Sequence, residues 1–277
     1  MQSNCVESFR RQISLPDDNV DLLRAALLIG ADEYPDLDVA HHVATLDTWA
    51  QEMGRRVAPD MDEQIQIRQL NNFLFRELGF RGNTGEYYDP RNSYINEVLE
   101  RRRGIPISLS VVYMELGRRL GLDLMGVSFL GHFLVKLPYG DGEVVIDPYN
   151  RGISLSAEDL TNRLQGVFHV AIESPTPFLA AASNKHILIR MLANLKGIYQ
   201  QLGKTTKIIA IITKILLVDP DRVREYRERG LMFNALECYN AALKDLQYYL
   251  RHAPDDDDTG VVRQLVFRLQ EHHSRLN

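Results

Sequence analysis

An apolar helix in the middle of the chain restricts the fold more than any other feature. Residues 105–120 form this helix, which is followed by Gly121, a residue typical of helix ends. The period of the apolar residues then changes to that of strands. We expect these strands at residues 126–130, 132–137 and 144–147, with "PYGDGE" as a hairpin loop. A helix followed by an antiparallel hairpin predicts an α+β core.

The part of the chain before this core has the periodicity of helices. Helices are predicted at residues 21–29, 39–57 and 62–78, and Pro16, Pro35 and Pro59 mark the breaks between them. Cys5 is interpreted as part of a loose tail. Residues 81–104 are polar and rich in turn formers, and a short helix at 90–103 is one interpretation of that segment.

The C-terminal part of the chain has an internal offset of 34 residues, the distance from Pro220 to Pro254. Apolar positions coincide at this offset: Tyr199 with Phe233, Ile208 with Ala242, Ile212 with Leu246, and Ile215 with Tyr249. The spacing resembles that of tetratricopeptide repeats, in which paired helices stack on their neighbours. Signature residues of the second unit stand at the expected places: Gly230, Phe233, Ala242 and Pro254.

The first unit of this offset is less regular. Lys196 and Ile208 stand where glycine and alanine are usual, while residues 261–276 have the polar face of a capping helix. The alternative is a bundle of helical hairpins in which the offset is a coincidence. We therefore predict two parts: residues 1–176 with the helices and the α+β core, and residues 177–277 with the repeats and their cap.

The charge and the cysteines restrict the partners. The chain has 277 residues and a net charge of −5, which gives no reason to expect a nucleic acid or a membrane as partner. Its cysteines, Cys5 and Cys238, have no metal-site spacing, and we expect no metal, no cofactor and free thiols, with Cys238 packed in a core. The start has no apolar targeting segment, so the expected location is the cytoplasm.

His132 and Asp147 fall on neighbouring strands. If the hairpin pairs Leu137 with Val144, Leu134 lies opposite Asp147, and His132 precedes Leu134 on the same face. A carboxylate on one imidazole nitrogen fixes the tautomer and raises the basicity of the other nitrogen. The pair is therefore either a general base with its orienting acid or a structural hydrogen bond.

The order of helix, histidine strand and aspartate strand resembles the transglutaminase-like core, a relative of the papain fold. The sequence resembles most the bacterial invasion-regulator (SirB-type) branch of that family. The resemblance lies in the segments "GFRGN", "YYDPRNSYINEVLERRRGIPISLSVVYMELGRRLGL", "GHFLVKL" and "IDPYNRG". The resemblance covers about residues 16–260. It implies an α+β core followed by tetratricopeptide repeats, with His132 and Asp147 at the places of the family's catalytic His and Asp.

One residue departs from the family pattern. In active members the core helix opens with Gly-x-Cys, whereas this chain has Gly104-Ile105-Pro106. Proline suits the first helical turn but cannot act as a nucleophile. Ser108 is a possible substitute, although at ~100° per residue it points about 200° away from position 106. Ser108 and Ser110 are alternatively helix serines that face the interior of the domain.

Arginines surround the start of the core helix. A set of residues predicts an anion site together with the free N–H groups of the helix: Arg91, Arg101, Arg102, Arg103, Gly104 and Pro106. The ligand would be a phosphate, a carboxylate or an acidic peptide. The alternative is that these arginines are solvated or pair with nearby acids, Glu97, Glu100, Asp89 or Asp147, to fix the polar loop.

Three functions follow from these features. The first is a regulatory, non-catalytic adaptor with a degenerate pocket at Pro106 and repeats that bind a protein or peptide. The second is an amidase or peptidase in which His132 and Asp147 activate an unorthodox nucleophile or a water. The third is a sensor of a small anion at the arginine cluster.

Overall fold

The computed structural model describes residues 2–57, 61–170 and 172–276, with the side chains at 2–5 and 272–276 left out. The chain divides into two compact units, Met1–Met191 and Leu192–Asn277. The division falls within one long helix. The boundary predicted after residue 176 stays a prediction, whereas the α+β class of the first part is confirmed by its helices and its antiparallel sheet.

The first unit contains helices and six strands in the described part of the chain. Its helices are α1 (Gln2–Ile13), α2 (Leu22–Ile29), α3 (Val39–Gly54), α4 (Glu63–Asn71), α5 (Ile95–Arg101), α6 (Pro106–Arg119), α7 (Ala157–Phe168) and the first part of α8 (Asn184–Gln201). Its strands are β1 (Arg81–Gly82), β2 (Arg103–Gly104), β3 (Met125–Val127), β4 (Leu134–Tyr139), β5 (Gly142–Asp147) and β6 (Ile153–Leu155).

The predicted N-terminal helices are present, and aspartates fix where each begins. Asp21 accepts a hydrogen bond from the Arg24 amide at 2.9 Å, and Asp38 and Asp62 cap α3 and α4 in the same way. The last part of the predicted third helix is a π-helical stretch, Asn72–Glu77. Cys5, interpreted as part of a loose tail, instead falls within α1, which the buried Phe9 anchors, although the side chain of Cys5 lies outside the described residues.

Helix α6 lies at the centre of the first unit. All of its residues except the last two are buried. It packs against α2, α3 and α5 as well as against β3 and β4. A helix surrounded by other elements must be apolar on most of its surface, which agrees with the sequence of this segment. The predicted helix at 105–120 is confirmed to within one residue at each end.

The larger sheet has the order β3-β4-β5-β6, with antiparallel neighbours throughout. The predicted pairing of Leu137 with Val144 is confirmed. The hairpin loop is shorter than "PYGDGE", because the strands continue to Tyr139 and from Gly142, and Gly140 takes a positive φ of 57° at the turn. Strand β6 and helix α7 were absent from the sequence prediction.

The polar segment 81–104 is folded rather than open. Strands β1 and β2 pair in parallel, and the amide of Asn83 donates to the carbonyl of Gly104 at 3.0 Å. The side chain of Asn92 donates to the Glu86 carbonyl at 2.6 Å. The interpretation of 90–103 as one short helix is corrected to a 3₁₀ turn, Pro90–Asn92, followed by α5.

The second unit is all helix in its described residues. It contains the remainder of α8 and the helices α9 (Thr205–Val218), α10 (Val223–Ala235), α11 (Tyr239–His252) and α12 (Thr259–Leu276). Gly230 on α10 faces Leu246 on α11, and a Cβ at this glycine would lie 2.8 Å from the Leu246 side chain. The helices therefore approach closely at the glycine that the repeat pattern singled out.

Two other residues of this unit differ from the repeat pattern or its prediction. Lys196 stands where a glycine is usual, and its ammonium pairs with Glu225 at 2.8 Å and Glu228 at 2.9 Å. A glycine would let the two helices approach closely. Here ion pairs of Lys196 connect α8 to α10 instead. The prediction that Cys238 packs in a core is wrong, because Cys238 is exposed at the start of α11. No helix among the described residues has the length and apolarity required to cross a membrane.

Candidate functional site around His132 and Asp147

His132 and Asp147 meet at one end of the antiparallel sheet. His132 lies in the turn before β4, where its amide donates to the Phe129 carbonyl at 3.1 Å and Gly131 has a φ of 68°. Asp147 is the last residue of β5. Nε2 of His132 lies 2.9 Å from Oδ1 of Asp147, which is a hydrogen-bonding distance. The structure thus brings the two residues together, and their catalytic role stays a prediction.

The Asp147 carboxylate is fully buried and has several donors. Its Oδ2 accepts from Nδ2 of Asn150 at 2.7 Å and from Nη1 of Arg163 at 3.0 Å. Burial by itself would raise the pKa of Asp147, but hydrogen bonds and charge from His132, together with Asn150 and Arg163, outweigh it and lower the pKa to about 2. Asp147 is therefore ionised at neutral pH.

Sequence reasoning missed two of these donors. Asn150 lies in the quoted segment "IDPYNRG", three residues after the aspartate, so a polar residue there was a usable signal. Arg163 comes from α7, and nothing in the spacing of the sequence connects it with Asp147. An arginine on a buried carboxylate fixes the position of the carboxylate that orients the histidine.

The imidazole of His132 is partly accessible, with 18% of its side chain exposed. Its ring meets the edge of Tyr149 at 5.9 Å between centroids, and Tyr149 meets Tyr87 at 6.4 Å. Tyr149 lies over Gly82, where a Cβ would come within 2.5 Å of the ring. The imidazole uses Nε2 for its hydrogen bond to Asp147, and no other hydrogen bond of this ring is found among the described residues. Nδ1 is therefore the nitrogen left for a ligand or a nucleophile.

Pro106 begins α6, and the next turn of this helix contacts the residue after His132. Ser110, one helical turn further on, places its Oγ 3.5 Å from the carbonyl oxygen of Phe133, the residue after His132. Residues four apart share one face of a helix, so position 106 lies on the same side, one turn nearer the helix start. The position that the family fills with cysteine is thus beside the start of β4, and its residue here carries no nucleophile.

The serines of α6 are engaged within the fold. Oγ of Ser108 accepts from the Ile105 amide at 3.0 Å and donates to the Asn92 carbonyl at 2.6 Å. Ser108 and Ser110 are both fully buried. These contacts favour the alternative of interior-facing helix serines over Ser108 as a nucleophile, a role that stays an untested prediction.

The predicted arginine cluster is divided among different contacts. Arg91 and Arg101 share one carboxylate, that of Asp89, at 2.7 Å and 3.5 Å. Burial would raise the pKa of Asp89, but hydrogen bonds and charge from Arg91, with a contribution from Arg101, lower it. Two of the predicted cations therefore contact one acid of the polar segment, whose single charge offsets one of them.

The other members of the predicted cluster have structural contacts as well. The guanidinium of Arg102 lies over the rings of Trp49 and Phe80, at 4.5 Å and 5.0 Å from their centroids, and donates to the Leu99 carbonyl. Arg103 and Gly104 form β2, and a Cβ at Gly104 would lie 2.6 Å from Oγ of Ser108. The contacts favour the alternative in which these residues fix the polar segment, and anion binding by them stays an untested prediction.

Two family models match the chain in succession. Residues 40–193 match the model of the transglutaminase-like superfamily, and residues 195–266 match a tetratricopeptide repeat model. The first match contains α6, His132 and Asp147, and the second contains the Gly230 contact. The predicted order of a transglutaminase-like domain and a repeat region is therefore confirmed.

Among solved structures, the chain is similar to a crystal structure of menin that reveals the binding site for Mixed Lineage Leukemia (MLL) protein. The TM-score is 0.44 with 11% identity, over 89% of this chain and 69% of menin. A similarity at this level carries no argument about function.

Bacterial relatives match over nearly their whole length. A UPF0162 protein of Xylella fastidiosa is 39% identical over 255 residues, which is 90% of each chain. A UPF0162 protein of Pseudomonas aeruginosa is 30% identical over 87% of each chain, and that of Vibrio cholerae is 29% identical over 90% of this chain and 92% of its own. The protein therefore belongs to the transglutaminase-like superfamily and, within it, to the UPF0162 proteins.

Proposed function

We propose that this protein is a non-catalytic regulatory adaptor. Its transglutaminase-like domain holds a ligand without turning it over, and its tetratricopeptide region binds a protein or peptide partner. The narrower SirB-type assignment and a cytoplasmic location are parts of this proposal. The observation that carries it is Pro106, which occupies the first position of α6, one turn before the Ser110 that contacts the Phe133 carbonyl.

The lack of a nucleophile at this position supports a binding role. Acyl transfer in a papain-like site requires a thiolate or an activated hydroxyl next to the histidine. The hydroxyls that α6 brings to this region, those of Ser108 and Ser110, are buried and donate to backbone carbonyls. A site that keeps His132 and Asp147 but has proline at the start of α6 can still bind a polar ligand.

The helical repeats support binding of a macromolecule. Tetratricopeptide arrays present extended surfaces that their family members use for protein contacts. On α12, the ring of Phe267 is 61% exposed and lies between Arg263 and Arg268 in one surface depression. Aromatic and arginine side chains are the ones most enriched at the centres of protein interfaces.

A gain of reactivity at position 106 tests the proposal. The substitution Pro106→Cys restores the family's nucleophile at a place where proline donates no backbone hydrogen bond, so the helix should tolerate it. We expect the wild type to show no His132-dependent turnover of a glutaminyl peptide with an amine acceptor. Because Pro106 is buried, we expect the thiol of Pro106→Cys to react with iodoacetamide more slowly than the exposed Cys238, and more slowly still when His132→Ala is added.

The control for this experiment is Pro106→Ala, which changes the backbone in the same way without adding a thiol. Alkylation of Cys5 and Cys238 is subtracted by peptide mass spectrometry, since each lies in a different peptide. Turnover by the wild-type protein that disappears in His132→Ala would contradict the adaptor and establish an enzyme.

One observation favours the alternative of an amidase or peptidase. The ionised Asp147 holds Nε2 of a partly exposed His132, which is the arrangement of a general base and its orienting acid. In that case a water held by Nδ1 would be the nucleophile. Hydrolysis that resists iodoacetamide but requires both His132 and Asp147 would distinguish this enzyme from one that uses a cysteine.

A further inference from the structure

Arg190, on the first part of α8, carries a half-buried positive charge that hydrogen-bonds to neutral groups. Its Nη1 donates to Oγ of Ser128 at 2.7 Å, and its Nη2 donates to the carbonyl oxygen of His132 at 3.3 Å. Within the described ranges, no ion pair joins Arg190 to an acid. Arg163, by contrast, has the Asp147 carboxylate at 3.0 Å.

A partly buried guanidinium charge is unfavourable unless an anion or water compensates it. Partial burial removes water from the guanidinium, and this desolvation lowers the pKa of Arg190. Neutral partners such as a hydroxyl and a carbonyl satisfy two of its donors but do not neutralise its charge. The remaining donors of the planar guanidinium are available to an anion.

The surroundings of Arg190 form a cleft with a volume of about 570 Å³. Its walls are mainly apolar and include Leu130, Phe178 and Ala182. The amide of Ala182 donates to the Gly126 carbonyl at 2.8 Å, so this wall is fixed to β3 by backbone. The cleft is thus pre-formed and mainly apolar, with the cation of Arg190 in its lining.

A hydrogen bond of Arg190 connects the cleft with the histidine site. Arg190 holds the backbone carbonyl of His132, the residue whose ring contacts Asp147. Tyr87 lies near enough for the charge of Arg190 to oppose the effect of burial, which raises the pKa of the Tyr87 phenol. A ligand bound to Arg190 would therefore lie next to the aromatic wall formed by Tyr87 and Tyr149.

We propose that Arg190 and Ser128 bind the carboxylate of a peptide whose apolar part lies in this cleft, beside His132. Guanidinium groups bind carboxylates through two parallel hydrogen bonds, which suits the free donors of Arg190. Among the described residues that line the cleft, Arg190 is the one arginine or lysine. A single positive charge matches a carboxylate better than a phosphate, whose charge is about −1.5 to −2 at neutral pH.

This site differs from the arginine cluster around α6 and does not depend on the absence of turnover. It would serve an adaptor as a recognition pocket and an enzyme as a substrate pocket. Its test measures binding alone, so a failure here leaves the Pro106→Cys experiment unaffected.

The test is an NMR titration of the full chain with three probes. The first is N-acetyl-leucylphenylalanine with a free carboxylate, the second is its C-terminal amide, and the third is N-acetyl-glutamylphenylalanine amide. We expect the first probe to saturate the site. Its amide should bind at least about 30-fold more weakly, because the buried charge of Arg190 is then left without a carboxylate. Binding of the third probe would identify a side-chain carboxylate as an accepted ligand, whereas its absence would restrict the site to peptide C-termini.

Substitutions assign the effect to the residue. Arg190→Gln should weaken the first probe by about 30-fold or more, and Arg190→Lys by less because it keeps the charge. Arg68→Gln, which removes an exposed arginine of α4 outside the cleft, should leave the affinity unchanged. The thermal midpoint of Arg190→Gln should stay close to that of the wild type, because no ion pair is lost and relief of the desolvated charge offsets the loss of two hydrogen bonds. If this variant does not fold, Arg190→Lys provides the comparison.

Several results would overturn the site. They are the absence of saturable binding by both carboxylate probes, equal affinity for the carboxylate and its amide, and unchanged affinity in Arg190→Gln. A structural role for Arg190 would instead appear as a lowered thermal midpoint in Arg190→Gln without any difference between the probes.

Discussion

Nε2 of His132 lies 2.9 Å from Oδ1 of Asp147, and the same carboxylate accepts a hydrogen bond from Arg163 at 3.0 Å. Asp147 therefore joins the turn before β4, the end of β5 and helix α7. Because the carboxylate is fully buried, removing it would leave Arg163 and the imidazole without their acceptor. Its contribution to folding can be measured separately from any role in chemistry.

Asp147→Asn should remove a pH-dependent part of the stability. The folded-state pKa of Asp147 is about 2, lower than that of an ordinary aspartate. A lowered pKa stabilises the fold above about pH 4, and this stabilisation is lost as the pH falls toward 2. We expect the variant to lose about 2–4 kcal/mol in free energy of unfolding at pH 7, and the difference to shrink in acid.

Urea unfolding at a series of pH values measures this difference. Asp141→Asn, which changes an exposed carboxylate in the hairpin turn, is the control and should stay within about 0.5 kcal/mol of the wild type. A difference between Asp147→Asn and the wild type that is constant down to pH 2 would show that the ionised carboxylate does not stabilise the fold.

Gly82→Ala should displace the tyrosine that covers His132. An added Cβ would lie 2.5 Å from the Tyr149 ring, so the ring must move and the fold should lose about 1–3 kcal/mol. We expect diethyl pyrocarbonate to modify His132 faster in this variant, as followed by peptide mass spectrometry. Gly85→Ala is the matched control, because a Cβ there meets nothing within 4 Å. Equal modification rates in the two variants would mean that Tyr149 does not shield the histidine.

The hairpin and the core helix could be predicted because local pattern determines them. The apolar run at 105–120 and the alternation after it gave the helix and the register in which Leu137 pairs with Val144. That register places Leu134 opposite Asp147, and the turn before β4 then brings His132 to the same carboxylate. Pro106 could be placed for the same reason, since it lies one turn before Ser110 on the same helix.

The other parts of the site could not be predicted because they depend on tertiary packing. Arg163 reaches Asp147 from α7, and Arg190 reaches the His132 carbonyl from α8, across 58 residues of sequence. Neither arginine has a sequence neighbour that indicates its partner. The arginine run at 101–103 was more prominent in the sequence, but Arg102 lies on aromatic rings. A run of like charges does not show which of its members face a ligand.

Breaking the buried Arg229–Asp245 pair should strongly destabilise the repeat unit. Arg229 donates to both carboxylate oxygens, from Nε at 2.7 Å and from Nη2 at 2.9 Å, and its Nη1 contacts Thr213. Removing one partner of a buried pair leaves the other charge uncompensated, so Asp245→Ala should cost about 3–5 kcal/mol. Urea unfolding monitored by helical circular dichroism measures this loss.

The control for the pair is the double substitution Arg229→Met with Asp245→Leu. Replacing both charges by apolar side chains of similar size is often neutral, so this variant should be more stable than Asp245→Ala alone. If the double variant is as unstable as the single one, the loss comes from packing and not from an uncompensated charge.

Gly230→Ala and Gly197→Ala should change stability in opposite directions. A Cβ at Gly230 would lie 2.8 Å from the Leu246 side chain, whereas a Cβ at Gly197 meets nothing within 4 Å. Both glycines are helical, so alanine favours the helix by about 0.5–1 kcal/mol at either site, but overpacking at Gly230 costs about 1–3 kcal/mol. Gly230→Ala should therefore lower the urea midpoint and Gly197→Ala should raise it.

Adding Leu246→Ala makes room for the new methyl group, so Gly230→Ala should cost less in that background. An equal cost in both backgrounds would show that the destabilisation does not come from a clash between the new methyl group and Leu246.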